Sequence, residues 1–460
     1  MTDKAEDGGA QDFGAAFVIH VAFAAETRRR SPAARLEEAV GLAEAIDLAV
    51  VYSEVATIAN PRPATLLGQG RVEKIAAQLD QAKPRPGLVI VDAALSPVQH
   101  RNLEKAWNAK VLDRTALILE IFGARARTAE GRLQVDLAHL TYQKSRLVRS
   151  WTHLERQRGG RGFLGGPGER QIESDRRAIE VKIDRLREKL DQVRRTRTLQ
   201  REKRRKTPHP VVALVGYTNA GKSTLFNRLS KSDVVARDQL FATLDPTMRA
   251  IDLPSGQRVI LSDTVGFISD LPTQLVAAFR ATLEEVNEAN LILHVRDSAH
   301  EDSDAQREDV IDVLAELGVD ADDGRPVIEV MNKIDLLSAD DKLALEALAR
   351  LSREKSAGTI EEPFRIAVSA VTGEGLDELR SAMDGLLTLD RETFLATLEG
   401  AEGAARAWLH EHGDILAENA HDGVLDVEVR LTEKSAGQFR KLYPDATLQL
   451  RSDARRRLSA

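Results

Sequence analysis

Eight residues carry the plainest chemistry in this chain: Gly216-Tyr217-Thr218-Asn219-Ala220-Gly221-Lys222-Ser223. They follow an apolar run, Val211 to Val215, that reads as a buried parallel strand. They precede Thr224 to Leu229, which reads as the start of a helix. A strand, a glycine-rich turn ending in Gly-Lys-Ser, then a helix is the context that a phosphate-binding P-loop requires. Backbone N–H groups and the helix N-terminus can wrap a polyphosphate. Lys222 neutralises the β and γ oxygens, and the Ser223 hydroxyl can ligate Mg²⁺.

Further polar loops follow at matching intervals. Phe241-Ala242-Thr243-Leu244-Asp245 lies where a switch I loop falls, with Thr243 as a second Mg²⁺ ligand and Thr247 as its competitor. Two short strands flank Pro254-Ser255-Gly256, a hairpin turn, and the second ends in Asp263-Thr264-Val265-Gly266. There Asp263 can orient Mg²⁺ through water, and the Gly266 N–H can sense a γ-phosphate. The buried run Val327 to Met331 leads into Asn332-Lys333-Ile334-Asp335. The Asp335 carboxylate can accept two hydrogen bonds from guanine, whereas adenine would leave it unpaired; such sites discriminate by about 10⁴ or more. Asn332 braces the loop and Lys333 packs on the base. Finally, Ile366-Ala367-Val368 leads to Ser369-Ala370-Val371, where the Ala370 N–H can meet guanine O6. The reaction implied is attack of water on the γ-phosphorus of GTP, with Lys222, Thr243 and Gly266 as the groups that act on it.

Around these residues the chain divides by pattern. With 460 residues, length alone allows about three domains. Hydrophobic content of 42% and charged content of 30% argue for a folded chain. The absence of cysteine removes disulfides and thiolate metal sites. No apolar run approaches the roughly 20 residues that span a bilayer, and the N-terminus lacks a signal pattern. A cytoplasmic monomer without stable membrane insertion is therefore expected. Residues 1–14 are polar. Residues 15–128 alternate short apolar runs with helical spacing, as a small α/β unit does, with strands at Phe17–Val21, Leu48–Val51 and Leu88–Val91. Asp92 and Asp113 fall at carboxyl ends of strands, where such sheets bind ligands or simply turn and cap. Gly68-Gln69-Gly70-Arg71-Val72-Glu73 resembles the start of a dinucleotide loop but carries Glu73 where a third glycine belongs.

Residues 129–206 change period. Leu133, Leu137, Leu140, Leu147, Trp151 and Leu154 form one seam, and Ile172, Ile179, Ile183, Leu186, Leu190 and Val193 form another. The glycine-rich stretch 158–168 between them makes an antiparallel helical hairpin. Its tip is basic, with Arg146, Arg149, Arg156, Arg158, Arg161 and Arg170, and a second basic run spans Arg194 to Lys206. One basic finger on a chain of net charge −7 suggests a local RNA contact through Arg158, Arg161 and Phe163. The alternatives are a solvated helix surface, or a coiled-coil module that docks a protein partner of a regulatory GTP switch. Residues 207–389 form the nucleotide unit, and 390–460 a small α/β appendage, with a strand at Val424–Leu431, a helix at Thr432–Leu442 and a strand at Ala446–Leu450.

Together these motifs resemble HflX-type GTPases, of the Obg–HflX group. Beyond the nucleotide loops, Gln134 to Ala138, Gly165 to Glu169 and Glu173 to Arg177 resemble that family's helical hairpin. The resemblance implies a Ras-like P-loop G domain behind an N-terminal α/β domain, and binding to the large ribosomal subunit. It implies splitting or rescue of stalled ribosomes under stress such as heat, and weaker ATP binding or hydrolysis by the N-terminal domain. A Ras-like enzyme places a water-orienting glutamine after Gly266; this chain has Phe267, so a slow intrinsic rate is expected, raised when a partner orders the switches. Asn219 stands where potassium-using GTPases hold the monovalent ion. Potassium should then stimulate turnover, and equal rates in potassium and sodium chloride would exclude it.

Overall fold

The computed structural model describes residues 12–23, 30–126, 128–157, 167–205, 209–231, 241, 247–269, 286–316, 318–319, 325–355, 358, 362–388, 391–399, 403–421 and 423–451. Four parallel strands, β1 (Asp12–Phe23), β2 (Ala49–Ile58), β3 (Pro86–Asp92) and β4 (Lys110–Asp113), form a sheet of order β2-β1-β3-β4. The alternation within β1 and β3 decides its two faces. Ala16, Val18, Leu88 and Ile90 meet α1 (Pro32–Glu44) and α4 (Arg114–Arg125). Phe17, Ile19, Val89 and Val91 meet α2 (Gln69–Gln81) and α3 (Pro97–Trp107), where buried Trp107 donates its indole N–H to the Val72 carbonyl. Ser31 caps α1, Ser96 and Gln99 form a capping box on α3, and Asp113 caps α4.

The glycine-rich segment from Gly68 simply opens α2. A Cβ at Gly68 or Gly70 would meet nothing within 4 Å, so no close backbone approach requires glycine there. The two carboxylates at the strand ends are also engaged internally. Asp92 pairs with His20 and Arg114. Asp113 accepts from the Ala116 N–H, from the Tyr142 hydroxyl at 2.8 Å and from Arg146 at 3.0 Å.

Those last contacts anchor the hairpin, α5 (Ala129–Gln157) and α6 (Pro167–Arg205). Arg146, expected among the RNA-facing cations of the tip, is committed to Asp113 and stacks over its own helical neighbour Tyr142. The α6 seam follows the predicted spacing: Ile183 and Leu190 are buried and Ile179, Leu186 and Val193 half-buried, while Ile172 lies where side chains are not described. On α5 the deeper stripe is Gln134, Val135 and Ala138; Leu133, Leu137 and Leu140 are half-buried. The cause is a second neighbour, since Val135 and Ala138 join the core of α4. Lys144 and Glu180 pair across the hairpin at 3.0 Å. Arg158, Arg161 and Phe163 lie outside the described residues.

The central sheet has the order β10-β9-β8-β5-β7-β6. Its strands are β5 (Val211–Gly216), β6 (Thr247–Asp252), β7 (Arg258–Asp263), β8 (Leu291–Asp297), β9 (Val327–Asn332) and β10 (Phe364–Ala367), with only β6 antiparallel to its neighbour. Helices α7 (Lys222–Ser230), α8 (Ser303–Glu316), α9 (Ala339–Lys355) and α10 (Leu376–Thr388) accompany it. A C-terminal antiparallel sheet, β12-β13-β11-β14, comprises β11 (Arg391–Glu399), β12 (Asp414–His421), β13 (Val424–Thr432) and β14 (Thr447–Leu450). It packs on α11 (Gly403–His412) and α12 (Glu433–Leu442). Sequence reading missed β11, α11 and β12, although Phe394, Ala396 and Leu398 alternate along β11 as the buried face of a strand does.

Candidate nucleotide site

The phosphate loop leaves β5 and enters α7 through Gly221, at φ +90°. A Cβ on Gly221 would lie 2.3 Å from the Asn332 side-chain nitrogen, so glycine is required by conformation and by space. Asn332 is the junction of the site. It donates to the Ala220 carbonyl at 2.9 Å and accepts from the Ala370 N–H at 3.0 Å, which ties three loops together. The Ala370 N–H, expected at guanine O6, is thus already shared with Asn332. Asp335 accepts from the Ser369 hydroxyl at 2.6 Å, which fixes its carboxylate. Lys333 adopts φ +63° and pairs with Asp297 at 2.7 Å, while Ile334 is buried beneath it.

Ser223 donates to Asp263 at 2.8 Å. These two oxygens, beside Lys222 at a helix N-terminus, suit magnesium, which takes few protein ligands and completes its shell with phosphate and water. When bound, the ion would neutralise phosphate charge. The orphaned Thr218 hydroxyl, buried in the same loop, is a further group that a phosphate could satisfy. Thr264 serves the fold instead, donating to the Leu214 carbonyl. Ala242, Thr243, Leu244 and Asp245 lie outside the described residues.

Two side chains expected at the nucleotide point elsewhere. Tyr217 directs its hydroxyl to Glu38 of α1; only its carbonyl, which accepts from Lys222 at 2.7 Å, faces the loop. Phe241 packs edge-on against Phe122 of α4, with ring centroids 4.7 Å apart. Val371 is exposed and contributes its carbonyl to Arg228. Tyr217 and Phe241 belong to a surface that sequence reading could not see, the contact between the N-terminal sheet and the nucleotide unit.

Burial pushes the Lys222 ammonium down to about 8, although Asp263 opposes the shift. A bound polyphosphate supplies the missing anion and restores an ordinary lysine value. Below pH 8 the lysine is already charged and affinity should be flat. Above pH 8 binding must take up a proton, so affinity should fall by up to about tenfold per pH unit. Titration of fluorescent GDP between pH 7 and 9 checks this, and a flat profile would exclude it.

The strand order and the phosphate loop, with Ser223 and Asp263 paired beside it, define a P-loop GTPase. Residues 33–123 match the model described as "GTP-binding GTPase N-terminal", 125–204 the "GTP-binding GTPase Middle Region", and 211–333 the "50S ribosome-binding GTPase". GTPase HflX of Magnetococcus marinus is 52% identical over 369 residues, 79% of this chain and 81% of its own. GTPase HflX of Escherichia coli is 44% identical over 372 residues, 81% of this chain and 83% of its own. The chain belongs to the HflX family of GTPases. A solved GTP-binding protein from Sulfolobus solfataricus in complex with GDP is 23% identical and covers 81% of this chain, with a TM-score of 0.43.

Proposed function

We propose that this GTPase is ribosome-associated: it binds the large subunit through its basic hairpin and splits or rescues stalled ribosomes under stress such as heat. The observation that carries the reading is the anchoring of α5. Tyr142 and Arg146 hold the hairpin to Asp113, at the mouth of the N-terminal sheet, while Val135 and Ala138 join the same apolar cluster as Phe241 and Phe267. A finger fixed this way moves with the units that surround the nucleotide. The description "50S ribosome-binding GTPase" of the family matched by residues 211–333 names the class of partner. Magnesium would be held by Ser223 and Thr243, with Asp263 acting through water, and Asn219, exposed at φ +59°, is the candidate ligand for potassium. Guanine is read by Asp335, with Ala370 and Val371 at its edge. Asp92 and Asp113 both have internal partners, so we place no ATP chemistry on them.

Among the described residues no helix is long and apolar enough to cross a membrane. Co-sedimentation with ribosomal subunits tests the proposal. More protein should pellet with large subunits in a non-hydrolysable GTP analogue than in GDP, and replacing Arg158, Arg161 and Phe163 should abolish the excess with a steep salt dependence. Binding indifferent to the tip but lost on changing the helix faces would favour the protein-docking switch instead.

A further inference from the structure

The N-terminal sheet reverses its strand order between β1 and β3, the place where sheets of this kind hold a ligand. Here that crevice receives part of the same chain. Arg114, 5% exposed at the start of α4, donates to Asp92 and Glu38 and then crosses to the nucleotide unit. It meets the Ser269 carbonyl at 3.1 Å and the Ser269 hydroxyl at 2.9 Å, and Arg35 donates to the same hydroxyl. The Tyr217 hydroxyl donates to Glu38 at 2.7 Å and accepts the Ser269 N–H at 2.9 Å. Every polar group of Ser269 is therefore held, by α1, by α4 or by the phosphate loop.

Ser269 stands three residues beyond Gly266, and the link between them has no slack. Phe267 and Ile268 are buried, and Phe267 exchanges backbone hydrogen bonds with Gly216 and Thr218. Gly266 consequently lies against the loop: a Cβ there would be 3.1 Å from the Lys222 ammonium and 3.0 Å from the Thr218 methyl. A γ-phosphoryl group bound by both Lys222 and the Gly266 N–H must enter between them. A diphosphate makes no such demand.

We propose that Arg114, with Glu38 and Tyr217, is a positioning device for the γ-phosphate pocket, supplied in cis by the N-terminal α/β unit. It sets the distance of Gly266 from Lys222 through Ser269, and so weighs against the triphosphate relative to the diphosphate. The proposal rests on the GTPase reading and deepens it. Coupling of this kind is reciprocal: the γ-phosphate loosens the grip on Ser269, and loosening that grip favours the γ-phosphate.

The test uses the full chain carrying Ser269→Ala, Glu38→Gln or Arg114→Lys, with affinities for GDP and for a non-hydrolysable GTP analogue measured in magnesium. Each variant should raise the preference for the GTP analogue over GDP at least fivefold, while GDP affinity stays within twofold of the parent. Ser269→Ala and Glu38→Gln remove or neutralise one group each and decide the matter if Arg114→Lys does not fold. A preference unchanged in all, or equal weakening of both nucleotides, would overturn the proposal and leave the cluster as packing. A parent chain that bound neither nucleotide would remove the GTPase reading itself.

Discussion

Asp335→Asn should weaken GDP binding about a thousandfold and raise the relative affinity for xanthosine diphosphate. The carboxylate offers two acceptors to the guanine N1–H and exocyclic amine, and hydrogen bonds to a charged partner contribute about 1.5–3 kcal/mol each. An amide keeps one acceptor and turns an NH₂ toward the amine, so one bond is lost and one becomes a clash of donors. Xanthine carries a carbonyl where guanine carries that amine, and the amide can donate to it. The substitution is clean because the retained amide oxygen can still accept from Ser369, which holds the present carboxylate at 2.6 Å. Competition among GDP, ADP and xanthosine diphosphate for a fluorescent nucleotide measures the effect. GDP affinity within about threefold of the parent would show that base identity is read elsewhere.

Glu329→Gln should cost about 3–5 kcal/mol of stability, the usual scale for breaking a buried ion pair. Glu329 is wholly buried in β9 and serves three guanidiniums, Arg296 at 2.6 Å, Arg307 at 2.8 Å and Arg365 at 2.7 Å. Its neutral replacement takes the carboxylate from Arg307 and Arg365, while Arg296 keeps Asp304. The pH dependence has a definite sign. Burial would raise the Glu329 carboxyl, but the arginines outweigh it and hold it down at about 2. Its contribution is complete above its unfolded value near 4.5 and is lost as pH falls through about 2. Burial, against the opposing pull of Glu329, pushes neighbouring His294 down to about 3. Between its unfolded value near 6.5 and pH 3 the unfolded chain binds a proton that the folded imidazole refuses, so stability declines over that window as well. Denaturant unfolding of parent and variant at pH 7 and pH 4 tests both statements. A variant as stable as the parent at pH 7 would show that the arginines need no carboxylate.

The loops of the candidate nucleotide site were legible because their residues are local. Gly221, Lys222 and Ser223 sit where one strand becomes one helix, and β9 delivers Asn332 and Asp335 within four residues. The seam of α6 was legible for the same reason, since Ile183 and Leu190 repeat along one element with one apolar neighbour. The seam of α5 was misjudged because that helix has two neighbours, and the burial of Val135 and Ala138 is set by α4 rather than by α6. Arg114 gave no signal at all. In sequence it is one more arginine beside a strand, and Ser269 follows 155 residues later.

The amino-acid order by itself determined the class of chemistry, the order of the sheet-forming segments and the hairpin, because short-range spacing and backbone sterics specify them. Only the tertiary structure decided that Tyr217 and Phe241 turn away from the nucleotide, that Arg146 serves Asp113, and that the mouth of one sheet receives Ser269 from another. Those outcomes depend on which distant surfaces meet and exclude water, and a buried charge such as Arg114 takes its role from whatever partner that meeting supplies.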